Sequence, residues 1–130
     1  MTIEQAPANR HLAILVVAYN PRNLELLARL LGKAGYQVLQ ASRLERLGQI
    51  LTTRPTFQLA LIDISGFDPR IWDECKRLQY TRVPFLIISH RASAVIEQQS
   101  LVSGARSVLL KPLAIKNLLE LIDSLLAEHS

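Results

Sequence analysis

The chain has 130 residues, enough for one domain with one core and little left for a second. Hydrophobic residues make up 49% and charged residues 20%, which excludes a disordered or fibrous polymer. The net charge of +4 comes from dispersed cations such as Arg10, Arg22, Arg29, Lys33, Arg43, Arg46 and Arg54, with Lys76-Arg77 the only adjacent pair, so nucleic acid is not an expected partner.

Residues 1–10 are polar with one proline and read as a flexible N-terminal arm, ahead of a domain over residues 11–128. Leu12–Val17 is apolar but too short for a secretory core, and no later stretch reaches membrane-spanning length. The expected compartment is therefore the cytoplasm, with no membrane contact. Leu12–Val17 has the composition of a strand buried on both faces. Asn20-Pro21 then offers a helix N-cap followed by proline at the first helical position. Leu24, Leu27, Leu30, Leu31 and Ala34 recur at helical spacing, and Gly35 can close the helix.

Tyr36–Ala41 alternates and is read as a second strand. Ser42-Arg43-Leu44-Glu45 has the form of a capping box, and Leu44, Leu47, Ile50 and Leu51 form the apolar stripe of a second helix. Phe57–Asp63 is the third strand. Asp68-Pro69 repeats the cap-and-proline start, and Ile71, Cys75 and Leu78 line a third helix, with Trp72 beside them. Cys75 is the only cysteine, so no internal disulfide or zinc cluster is possible, which fits a reducing compartment. Val83–Ser89 is the fourth strand. Ser93 can cap a fourth helix that Gly104 ends, Ser107–Leu110 is the fifth strand, and Leu113–Leu126 is the fifth helix.

Five strands this apolar, each followed by a helix, imply an α/β fold: a doubly wound parallel sheet covered on both faces. In such sheets the site lies outside the carboxyl ends of the strands. The residues found there are Ala18-Tyr19-Asn20, Asp63-Ile64-Ser65, Ser89-His90 and Lys111-Pro112.

The segments ILVV, GYQVLQAS, ALID, LIIS and GARSVLLKP, in this order over about residues 11 to 128, resemble the receiver domain of response regulators. The resemblance implies the flavodoxin-like (βα)5 receiver fold, strand order 2-1-3-4-5, and a role in two-component phosphorelay signalling rather than an enzyme activity. It places Asp63 at the phosphoacceptor position and Ser89 and Lys111 at the phosphoryl-contact positions. It also implies that the Lys111-Pro112 bond is cis.

The departures carry as much weight. The family's two metal-binding acids fall on Ala18 and Tyr19, and its aromatic switch position falls on Val108. The loop Ile64-Ser65-Gly66-Phe67-Asp68 is about two residues short, and His90 stands where the family prefers a small residue. The family site sets three carboxylates against one ammonium, whereas this chain keeps Asp63 and Lys111. One carboxylate makes a poor magnesium site. No cofactor is therefore expected, and Mg2+ enters only if the site works regardless. Asp63 should pair directly with Lys111. Tyr19 either lies over the vacated pocket or points to solvent.

The expectation is an atypical receiver that acts as a protein-interaction module. The alternative is a functional single-domain receiver phosphorylated on Asp63 by a histidine kinase or phosphotransfer partner. Partners are then a kinase or an output protein, or a second copy docked through helix four, strand five and helix five. Ile115 and Leu121, off the core stripe of helix five, are candidate interface residues. Ser89 has no nucleophile-elbow context, His90 has no Cys or activated Ser partner in the sequence, and no glycine-rich phosphate loop follows strand one.

Overall fold

Strands apolar on every residue need cover on both faces, and the computed structural model, which describes residues 12–53 and 55–128, shows that cover. Strands β1 (Ala13–Ala18), β2 (Gln37–Ala41), β3 (Leu59–Asp63), β4 (Phe85–Ser89) and β5 (Ser107–Leu110) alternate with helices α1 (Pro21–Lys33), α2 (Leu44–Thr53), α3 (Ile71–Tyr80), α4 (Ala94–Ser103) and α5 (Ile115–Glu128). All pairings are parallel, in the order β2-β1-β3-β4-β5. Alternate side chains feed two cores. Leu15, Val17, Ile62 and Ile87 meet Leu47, Ile50, Ile71, Cys75 and Leu78 of α2 and α3 on one face. Val16, Leu61 and Ile88 meet Leu27, Leu31, Leu118 and Ile122 of α1 and α5 on the other. This is the doubly wound sheet expected from the sequence.

The local signals explain most of the element ends. Asn20 Oδ1 accepts the amides of Arg22 and Asn23 at 2.9 and 3.1 Å, with Pro21 opening α1. Ser93 caps α4 by accepting the Ile96 amide, and Gly104, at φ 92°, ends it. The Lys111-Pro112 bond is cis.

Other ends differ from the sequence reading. β1, β3 and β4 begin at Ala13, Leu59 and Phe85, one or two residues late, and α5 runs over Ile115–Glu128 instead of Leu113–Leu126. α2 opens at Leu44, with the Arg43 carbonyl taking the Leu47 amide, so Ser42 lies one residue before the capping position. α3 starts at Ile71, after a turn in which the Ile71 and Trp72 amides reach the Asp68 and Pro69 carbonyls. The Asp68 carboxylate accepts the Arg70 amide at 2.8 Å, as Asn20 accepts that of Arg22, and the Arg70 guanidinium at 2.8 Å, so it caps the turn that leads into the helix. The side-chain bond from Arg70 holds the Asp68 carboxyl below the ordinary carboxylate range. The expected arm over residues 1–10 lies outside the described residues, as do His11, Arg54 and His129. Among the described residues, no helix is long and apolar enough to cross a membrane.

Candidate functional site

β1 is followed by a helix that leads to β2 on one side, while β3 lies on its other side, so a crevice opens where β1 and β3 end. The register puts Ala18 directly beside Asp63, with Ile88 on the other flank. The Asp63 side chain is 3% exposed and that of Lys111 27%, and Lys111 Nζ lies 2.6 Å from Asp63 Oδ2. The other oxygen, Oδ1, accepts the Ser65 amide at 3.0 Å. Both carboxylate oxygens are therefore engaged by donors of the chain itself. Ala18 is fully buried and presents a methyl group where the resemblance would place an acid.

Tyr19 packs against the β3–α3 loop instead of standing free in solvent. Its ring meets Phe67 edge-on, with centroids 5.5 Å apart at 77°, and the Arg43 guanidinium sits 4.7 Å from the ring centroid. Gly66, at φ 86°, lets the loop pass close by, since a Cβ there would come within 3.0 Å of the ring.

Ser89 ends β4, but its hydroxyl turns into its own loop. It donates to the Arg91 carbonyl at 3.0 Å and accepts the Arg91 amide at 3.1 Å. His90 Nδ1 lies 2.9 Å from Ser65 Oγ, tying the loop after β4 to the loop after β3. Val108 is half-buried against the α2–α3 side of the core. The structure thus brings Asp63 and Lys111 into contact and leaves Ser89 committed to the β4–α4 loop. Arg43 joins the site from the β2–α2 loop and Ser65 and Phe67 from the β3–α3 loop, and only the shortened Gly66 loop hinted at them in the sequence.

The donors present do not fit a magnesium ion. Mg2+ needs oxygen ligands in near-octahedral array, and here a single carboxylate has both oxygens already held. Among the described residues, no group of three His, Cys, Asp or Glu side chains is placed to hold a metal. Beside the ion pair an apolar cleft of about 230 Å3 opens between α1 and the β5–α5 loop, walled by Leu26, Leu27, Leu113 and Ile115. Of the expected interface pair, Ile115 is exposed, and Leu121 is half-buried and packs on the core.

No family model matches the chain, and no curated protein does. Solved structures do. A response regulator receiver domain protein (CheY-like) from Methanospirillum hungatei is 27% identical, with a TM-score of 0.79 over 90% of this chain and 94% of that one. The fold is that of CheY-like receiver domains. A pilus assembly-related protein from Burkholderia pseudomallei superposes with a TM-score of 0.79 at 24% identity, over 92% of each chain. A pilus assembly protein from Burkholderia thailandensis gives 0.74 at 25%, over 89% of this chain and 98% of that one. Within this fold Asp63 and Ser89 end β3 and β4, and Lys111 directly follows β5.

Proposed function

We propose that the chain serves as an atypical receiver in two-component signal transduction, a protein-interaction module with little or no magnesium-dependent phosphorylation. The Asp63–Lys111 ion pair carries this reading. Phosphoryl transfer to a carboxylate needs fixed positive charge to offset charge developing on the transferring group. The one ammonium at the site is already bound to the acceptor, and the donors that would recruit a dication are absent. Incubating the full chain with acetyl phosphate and Mg2+, and reading intact mass beside an Asp63→Asn control, should show no phosphoryl adduct. An adduct that depends on Asp63 would establish the alternative, a receiver phosphorylated by a histidine kinase or phosphotransfer partner.

α4 supports an interaction role because it is turned apolar side out. Val95, Leu101 and Val102 are 68%, 78% and 56% exposed, while Ser100 and Ser103 face the core. Leu110 of β5 and Ile115 of α5 are exposed as well. Apolar side chains gathered on an outer surface mark a docking site. The partner is an output protein or kinase, or a second copy joined through α4, β5 and α5. Likeness to two pilus assembly proteins makes a component of that machinery one partner to test. A pull-down that loses its partner in Leu101→Arg fits this surface, and undiminished capture by that variant rules it out.

A further inference from the structure

A second cavity, of about 500 Å3, lies at the end of the sheet remote from Asp63, where β3 and β4 begin. Its walls are apolar: Leu51 from α2, Pro55 and Phe57 ahead of β3, and Val83 ahead of β4. Tyr80 also lines it and is 85% exposed, so its ring leaves apolar surface uncovered. Two threonines line the cavity as well, Thr56, which is exposed, and Thr81, and several threonine hydroxyls nearby are bonded inside the protein. Thr52 donates to the Gly48 carbonyl at 2.8 Å, Thr53 to Gln49 at 3.0 Å, and Thr81 to Leu78 at 2.6 Å.

Among the described residues one charged group lines this cavity, Arg77, half-exposed. Its Nη1 donates to Glu74 at 2.8 Å and its Nη2 to Thr52 Oγ1 at 3.0 Å. A guanidinium carries five N–H donors, so these two contacts fix its place and leave donors free. The adjoining turn holds a second cation, Arg82, at φ 64°, a left-handed conformation that non-glycine residues seldom adopt. That turn sets Thr81 and Val83 in the cavity wall.

We propose that this cavity binds a small amphiphilic carboxylate, with a flat aromatic or short acyl body against Leu51, Phe57, Val83 and Tyr80 and its carboxylate on Arg77. The volume suits one small organic molecule, and predominantly apolar walls with a few placed polar groups, here Arg77 with Thr56 and Thr81, are the usual build of such sites. Apolar walls disfavour an inorganic anion, and the planar guanidinium selects a carboxylate, which it can meet with two parallel hydrogen bonds. The inference stands apart from the chemistry of Asp63.

Naphthoate and its uncharged isostere naphthamide are suitable probes, followed by amide NMR of the full chain. Naphthoate should give saturable shifts at Leu51, Phe57, Tyr80 and Val83 and leave Asp63 and Lys111 unmoved. Naphthamide should bind about tenfold more weakly, the scale of one charge-assisted contact. Arg77→Gln should bring naphthoate down to the naphthamide level. No saturable shift in these residues, shifts centred on Asp63, or equal affinity for the two probes would each overturn the assignment. The comparison of probes on the unaltered protein decides the matter even if Arg77→Gln fails to fold.

Discussion

Asp63 and Lys111 form an ion pair whose two ends differ in surroundings: the carboxylate is buried beneath the sheet rim, while the ammonium reaches partly into solvent. Removing either partner therefore has unequal effects. Lys111→Met strands a buried carboxylate with the Ser65 amide as its remaining described donor. That should cost about 2–3 kcal/mol in urea denaturation, at the low end for a broken buried pair because Lys111 is partly hydrated. Asp63→Asn frees an ammonium that can turn to water, and should cost about 1 kcal/mol or less. Equal losses would mean that the carboxylate is not the buried member.

Restoring the acids should restore a response to metal. The wild-type melting temperature should not depend on Mg2+. In an Ala18→Asp, Tyr19→Asp variant, the new carboxylates stand beside Asp63 and repel it, so the metal-free protein should be less stable than wild type. Saturating Mg2+ should then return about 2–3 kcal/mol, the linkage expected at two orders of magnitude above the dissociation constant. A variant that stays indifferent to Mg2+ in thermal melts would show that more than these two side chains has been lost.

The strands were legible because burial on both faces leaves runs such as Leu59–Asp63 and Phe85–Ser89 with almost no polar interruption. The ends of α1 and α4 were legible because Asn20, Ser93 and Gly104 act through local backbone chemistry that short spacing reveals. The pair Asp63–Lys111 was legible only through resemblance, since their separation in sequence has no period. The Tyr19–Arg43–Phe67 cluster was not legible, because three loops meet there through packing that no local pattern encodes. α3 starts two residues beyond the cap-and-proline signal because a turn of tighter, three-residue bonds comes between Asp68 and the helix. The outward apolar face of α4 was written in Val95, Leu101 and Val102, but a stripe reads the same whether it meets a core or a partner.

Cys75 links the core to alkaline pH. Burial pushes its thiol from an ordinary 9.0 up to about 12, so the native protein keeps it neutral where an unfolded chain would ionise it. Unfolding then releases a proton above pH 9, and the contribution is fully present below that pH and lost as pH rises toward 12. Denaturation curves should show a slope steeper for wild type than for Cys75→Ala by about 1.4 kcal/mol per pH unit at most. A soluble disulfide reagent should label Cys75 only as fast as the protein unfolds. Rapid labelling of the native state, or identical slopes, would place the thiol at the surface.

α4 is where the fold is least well served by its own sequence. Ser100 is buried, and its Oγ has no hydrogen-bond partner among the described residues, although Ser103 Oγ reaches the Ser100 carbonyl at 3.1 Å. A stranded hydroxyl keeps its desolvation cost without return, and serine is also a poorer helix former than alanine. Ser100→Ala should therefore stabilise the protein by about 1 kcal/mol in urea denaturation. Leu101→Arg, on the outward side, should leave stability within about 0.5 kcal/mol, because its side chain is already in water. The two substitutions separate the faces of one helix: the inner serine limits folding, and the outer leucine is free for a partner. A destabilised Ser100→Ala would show that its hydroxyl is satisfied.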